Sequence, residues 1–343
     1  MIYGCDNSVL MEGVSADADF RDFIVGMDQL DEVRDATFFV RNDGLLAFSE
    51  GYCHPPGAMI GNIVYVPDGK GTKTIFGTRY ASIIKRYGEE DDEWIPFQEQ
   101  IGIYRRIDPG LHVDKPLYAE NKCRFNTGDF IGWAPPRRSL LKVRERLPYA
   151  DKSILEISEA FDIDPASIGC TGSISLGNLK NIHDFDLIFY GTTRSNRRIV
   201  DRIYEITKDP SRQVIEMGMK WAIRFYDDNG NVICPFFCYS EKDEIPLADF
   251  TMEVEKEACR YTGRVCDDLH NSYMPSILQL EEVESADSPS FKEIMLIIYH
   301  GGSKGEYRCG DRLGIRGKLV RVETGGKQLQ AILVTDMGDT WKL

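Results

Sequence analysis

The chain of 343 residues is 42% hydrophobic and 28% charged, an ordinary globular mix, long enough for roughly two to three domains. Its 41 basic and 55 acidic residues give a net charge of −14, which excludes wrapping of nucleic acid by the whole surface and leaves room only for a local basic patch. The longest apolar runs, such as residues 294–299 (IMLIIY), fall far short of the about 20 residues a membrane helix needs.

The start of the chain has no basic segment before an apolar one, so a secretory signal is not expected. Nine cysteines, odd in number and irregularly spaced, read as reduced thiols in a cytoplasmic protein rather than a disulfide framework or a zinc ribbon. Residues 1–35 are acidic and weakly patterned, and Asp28, Asp31, Glu32 and Asp35 suggest a solvated helix or loop. From Ala36 the pattern turns β-like. ATFFV, the turn Asn42–Gly44 and LLAFSEGY predict a hairpin. His54-Pro55-Pro56-Gly57 breaks the chain, and MIGNIVYVPDG returns as a further strand, so residues 36–80 are expected to form a small twisted sheet. Residues 89–93 (EEDDE) read as an exposed loop, and 95–136 as an ordered irregular stretch.

After Pro135-Pro136, RRSLLKVRERLP predicts a basic amphipathic helix with Leu140, Val143 and Leu147 on its apolar stripe, stopped by Pro148. DKSILEISEAF predicts a second helix. SIGCTGS reads as a short strand ending in a small-residue turn, DFDLIFYG as another strand, and SNRRIVDRIYEI as a helix. KWAIRFY and NVICPFFCY, joined through Asn229-Gly230, form a predicted hairpin. Beyond residue 245 the helical period disappears, and four or five short strands suggest a small barrel or sandwich.

The chemistry concentrates in Gly172-Ser173-Ile174-Ser175-Leu176-Gly177 and Asp184-Phe185-Asp186-Leu187. Strand periodicity puts Asp184 and Asp186 on one face and Phe185, Leu187 and Phe189 on the other. Two carboxylates on one face suit hard divalent cations and hence phosphoryl or nucleotidyl transfer. Glycine lets the backbone approach a phosphate, and a serine hydroxyl with helix N-terminal N–H groups can bind its oxygens.

The string resembles the signature of the DNA polymerase β-like nucleotidyltransferase superfamily: an apolar residue, Gly-Ser, ten residues, then Asp-x-Asp on a strand. CTGSISLGN and HDFDLIFYG look most like a group of predicted archaeal nucleotidyltransferases, whose N-terminal and C-terminal regions also look similar to GYCHPPGAMIGNIVYVPDG and GDRLGIRGKLVRVE. The resemblance implies that Gly172 and Ser173 hold a nucleoside triphosphate and that Asp184 and Asp186 hold Mg²⁺ or Mn²⁺ and are catalytic. It also implies a third carboxylate on a following strand. NVICPFFCY contains none; Asp227 and Asp228 precede it, and Glu241, Asp243, Glu253 and Glu255 follow it as candidates.

Other polar residues read more plainly. His183 is expected to end a loop at the surface. Thr192, Thr193 and Arg194 read as a helix cap with a solvated arginine, the plainer reading, or as triphosphate ligands. Cys234 and Cys238 share a strand face and suit packing better than zinc. Residues 304–327 hold seven basic and three acidic residues. Arg312, Arg316, Lys318 and Arg321 there are candidate nucleic-acid contacts, with the 137–146 helix lining the same groove; an evenly solvated barrel surface is the equal alternative.

The expected fold is α+β. It comprises an N-terminal β-rich domain (1–136), a central nucleotidyltransferase domain (137–245) and a C-terminal small OB-like β-barrel (246–343). The expected activity moves a nucleoside monophosphate from an NTP to an acceptor hydroxyl, with RNA, in particular a tRNA end, as first acceptor. A protein or small-molecule acceptor, or a degenerate domain that only binds nucleotide or nucleic acid, are the alternatives.

Overall fold

Turn residues after residue 42 and residue 53 cut the first apolar segments into short pieces, and the chain pairs them in sequence. In the computed structural model, which describes residues 7–86, 93–180, 182, 184–216 and 218–343, the chain opens with two helices, α1 (Asn7–Ala16) and α2 (Ala18–Phe23). An eight-stranded sheet follows. It is made of β1 (Val25–Gly26), β2 (Phe38–Arg41), β3 (Leu46–Ser49), β4 (Ala58–Pro67), β5 (Lys73–Ile75) and β6 (Thr78–Ser82), together with two later strands. β7 (Lys85–Arg86) and β8 (Glu93–Trp94) form a separate ladder. The later strands of the large sheet are β9 (Cys123–Asn126) and β10 (Phe130–Ala134). The expected 36–80 sheet is therefore present. The stretch 95–136 is more regular than its composition suggests, holding α3 (Phe97–Ile107) as well as β9 and β10.

The N-terminal acidic segment is not simply solvated. Val14 and Phe23 are buried, Phe23 in the core of the central sheet, and Asp35 is only 1% exposed. Of the acidic run 89–93, residues 89–92 lie outside the described residues, and Glu93 belongs to β8.

The central part consists of α4 (Pro136–Arg146), α5 (Pro148–Phe161), β11 (Ile168–Cys170), β12 (Asp184–Gly191), α6 (Thr193–Ile206), β13 (Gln213–Glu216), β14 (Met219–Tyr226) and β15 (Val232–Tyr239). Pro148 does stop α4, and it also starts α5 at the first helical position, where its missing N–H costs nothing. The sheet order is β11-β12-β15-β14-β13, with β12 and β15 parallel and the other neighbours antiparallel. One face packs Phe185, Leu187, Phe189, Ile233 and Phe237 against Ile154, Ile157 and Phe161 of α5 and Ile199 and Ile203 of α6. Three of the five basic charges of α4 are matched: Arg144 by Asp151, Arg146 by Asp19 and Asp22, and Lys142 by Glu145.

The C-terminal strands are β16 (Phe250–His270), β17 (Ser276–Glu284), β18 (Phe291–Ile298), β19 (Arg312–Thr324), β20 (Lys327–Val334) and β21 (Thr340–Lys342). Pairing runs β16-β17-β18-β20-β19 and returns from β19 to β16, so five strands close into a ring, with β18 and β20 parallel. Instead of several short strands, the chain builds one side from the 21-residue β16. Register shifts near Val254 and Lys256 and a left-handed Ala258 (φ 52) bend it so that it can serve the ring. Cys259, Tyr261, Leu278, Leu296, Leu313 and Ile332 fill the interior. No helix among the described residues is long and apolar enough to cross a membrane.

The three sheets meet at a buried ion pair. The Lys304 ammonium lies 3.3 Å from Asp35 and 4.9 Å from the Phe236 ring, joining residues of all three parts. Gly51 N–H also donates to Asp35, at 2.9 Å. Burial pushes the Asp35 carboxyl up in pKa, opposed mainly by the charge of Lys304.

Candidate nucleotide site

Burial of Phe185, Leu187 and Phe189 fixes which way β12 faces and turns Asp184 and Asp186 to the opposite side. Asp184 is exposed and Asp186 half-buried. β11 ends beside them: Thr171 N–H donates to the Asp186 carbonyl at 2.8 Å, and the chain then enters a 3₁₀ turn, Gly172–Leu176. The expected small-residue turn is a single 3₁₀ turn, closed by Gly177 at φ +74 and by Ser175 Oγ donating to the Gly172 carbonyl at 2.8 Å. Gly172 has φ +65, and a Cβ on it would lie 1.9 Å from Asp186 Oδ2. Only glycine lets this turn press against the carboxylate. Ser173 is half-buried, and its hydroxyl makes no hydrogen bond among the described residues. The structure therefore brings Gly172, Ser173, Asp184 and Asp186 together. His183 lies outside the described residues.

The parallel register of β12 and β15 sets Asp184 opposite Val232 and Asp186 opposite Cys234. Cys234 is buried and its thiol hydrogen-bonds the Asp186 carboxylate. Burial holds the thiol well above its usual pKa, so it stays neutral there. On β14, Phe225 pairs with Ile233, which puts Arg224 one step along, beside Cys234. Burial raises the Asp186 carboxyl to about 7, with the charge of Asp184 adding to the rise; Arg224, the Cys234 hydrogen bond and Lys85 oppose it. Two adjacent carboxylates, one strongly proton-seeking, form a donor set whose repulsion a hard cation relieves. Mg²⁺ commonly binds one or two carboxylates and completes its shell with substrate phosphates and water, so these residues fit it. Among the described residues no group of three His, Cys, Asp or Glu side chains has metal-binding geometry.

Comparison of the chain with protein-family models, curated proteins and solved structures gives no match.

A second group borders the aspartates and was not legible in the sequence. Glu216, ending β13, accepts from Arg224 at 2.9 Å and pairs with Lys85 of β7. The Arg224 guanidinium lies 3.7 Å from the Trp221 ring, Lys85 lies 4.9 Å from the Trp94 ring, and the two indoles are 6.1 Å apart. Both indole N–H groups are buried with no hydrogen-bond partner among the described residues. Two cations and two aromatic faces, one of each from the N-terminal part, thus flank the aspartate face.

The candidate third carboxylates lie elsewhere. Because β15 runs parallel to β12, Glu241 and Asp243 follow its far end, roughly 23 Å along the strand from the level of Asp184. Glu253 and Glu255 sit on β16 and pair with Arg321. The nearby acid is Glu216, whose charge acts on Cys234 together with those of Asp184 and Asp186. Thr192 caps α6 by accepting from Ser195 N–H at 3.2 Å, and Glu244 binds Thr193 N–H and Oγ1 at 2.7 and 3.1 Å. Every described cysteine is a free thiol.

The barrel cations are largely spoken for. Arg316 pairs with Asp339, Lys318 with Glu120 and Glu257, and Arg321 with Glu253 and Glu255; Arg312 is exposed at the start of β19. Arg137 of α4 stacks on Tyr190 at 4.3 Å.

Proposed function

We propose that the protein is a metal-dependent nucleotidyltransferase with a polymerase β-like central domain and an OB-like C-terminal barrel, working in the cytoplasm. The observation that carries this reading is the close approach of Gly172 to Asp186, which couples a glycine-serine turn to a pair of carboxylates on one strand face. Asp184 and Asp186 would hold Mg²⁺ or Mn²⁺, which supplies charge neutralisation and polarisation of the phosphoryl oxygens. Gly172 lets the turn close against the carboxylates, and the free Ser173 hydroxyl donates to a phosphate. Arg224 and Lys85 face the same space and balance the triphosphate charge once Glu216 yields them. Trp94 and Trp221 offer flat faces to the base. An acceptor oxygen forms a bond to the α-phosphorus, the α–β bridge breaks, pyrophosphate leaves, and the acceptor proton passes to water. The acceptor in this reading is RNA, with tRNA the first to try; five closed strands with two parallel members agree with an OB-like barrel.

A second reading has one specific support. Cys234 stands opposite Asp186 where a further carboxylate would complete the set, and a protein lacking it would bind nucleotide without transferring it. Incubation with each α-labelled NTP, Mg²⁺ or Mn²⁺, and total RNA or protein separates the two. Label on a macromolecule, abolished in Asp186→Asn, supports transfer. Metal-dependent NTP binding with no labelled product supports the binding module.

A further inference from the structure

A cavity of about 400 Å³ opens where α6, β14 and residues 305–308 meet. Four cations border it, Lys208, Lys220, Arg308 and Lys342, against a single acid, Glu306. This is a local charge of +3 (four minus one) in a protein of net −14. Gly305 makes the wall possible: at φ +72, a Cβ there would lie 2.3 Å from Ile223 of β14. Tyr204 donates its hydroxyl to the Gly305 carbonyl at 2.7 Å, which fixes its ring, and the Arg308 guanidinium lies on that ring at 4.0 Å. Lys208 and Lys342 have acidic partners, Glu205 for one and Glu306 with Asp311 for the other. Arg308 and Lys220 are exposed and have no ion pair among the described residues. That sets them apart from Arg316, Lys318 and Arg321, whose charge neighbouring acids already match.

We propose that this cavity, rather than the outer face of the barrel, binds single-stranded RNA. Lys220 and Arg308 hold phosphates, and the Arg308–Tyr204 stack presents a flat cationic face to a base. Lys220 stands four residues before Arg224 on β14, with a register shift between them, so the cavity and the Arg224 side of the aspartate face are served by one strand. The assignment of this strand as the acceptor rests on the nucleotidyltransferase reading; the binding itself does not.

The test is fluorescence anisotropy of a labelled octauridylate with the full chain, in EDTA, from about 50 to 200 mM KCl. Lys220→Gln with Arg308→Gln should weaken binding at least tenfold and lower the salt slope by about 1.4, ~0.7 for each phosphate of a single strand that the variant no longer holds. Arg316→Gln with Arg321→Gln should leave both unchanged. Asp184→Asn with Asp186→Asn should also bind as wild type does, so the cavity survives even if no label is ever transferred. Wild-type binding by the cavity variant, an equal drop in the barrel variant, absence of RNA binding at the lowest salt, or equal competition by inorganic tripolyphosphate would each overturn the proposal. Thermal melts of the cavity variant establish that any weakening is not unfolding; if it melts early, Lys220→Gln alone, at an exposed strand position, replaces it.

Discussion

The aspartate face of β12 and the cationic stretch of β19 are both clusters of like charge, yet folding treats them oppositely. Along β19, Arg316, Lys318 and Arg321 each meet a carboxylate from a neighbouring segment, and Lys304, earlier in the same basic stretch, is buried against Asp35. On β12, Asp184 and Asp186 have no cation paired with them among the described residues; Arg224 and Lys85 stand close enough to be felt but are bound to Glu216. Compensated charge serves the fold. Charge left uncompensated against burial is what makes the aspartate face the candidate site for a ligand.

Asp186→Asn should give the largest effect on this contrast. On the proposed reading, transfer should fall by at least ~10³, the scale of losing several kcal/mol of charge stabilisation. Stability should move the other way. The folded carboxyl is raised to about 7, above its usual value near 3.8, so its ionised form disfavours folding at pH above 7. The asparagine variant should therefore melt higher than wild type at pH 8 without metal. The gain should fade as pH drops from 7 to 4 and vanish below. Calorimetry at pH 8 and pH 4 checks it, and a lower Tm for the variant at pH 8 would mean the pair is compensated after all.

Lys304→Met should show the reverse behaviour of a compensated charge. It leaves Asp35 buried without its partner and should cost about 3–5 kcal/mol. The Asp35 pKa, already raised, climbs further in the variant, so the deficit should be full at pH 8 and shrink as acid protonates the carboxyl. Urea titrations at pH 8 and pH 5 measure this.

Much of the aspartate site was legible because its parts are near in sequence and obey strand periodicity: Gly172, Ser173, Asp184 and Asp186 fall within 15 residues. What surrounds them was not. Glu216, Arg224, Lys85 and Trp94 arrive through cross-strand register and an ion pair between separate sheets, which no local pattern encodes. The same holds for Asp35, which reads as solvated until Lys304 is placed beside it. In the fold, the hairpins with their turn residues were clear, whereas α3 was hidden among Pro, Gly and aromatics. The 21-residue β16 read as several strands because its bulges interrupt the alternation.

Two smaller effects sharpen the comparison. Gly172→Ala should cost about 1–3 kcal/mol from positive φ and the close approach to Asp186, and should weaken NTP binding by displacing that carboxylate. Isothermal titration with a non-hydrolysable NTP reads it. Arg321→Gln should leave the urea midpoint unchanged, because its exposed pairs with Glu253 and Glu255 contribute little.

The Asp35–Lys304 pair also sets a schedule for synthesis. Its two members are separated by 269 positions in the chain. At ~5–20 residues per second, a ribosome delivers Lys304 roughly 15–55 s after Asp35. Throughout that interval the first sheet has a carboxylate awaiting its counter-ion, and the pocket it will occupy stays open to water. The N-terminal part can pair its strands early, but its junction with the rest locks only after β16, β17 and β18 have been made and residue 304 follows them. A nascent chain stalled before residue 304 should accordingly be cut by protease near Asp35, and one released after it should resist.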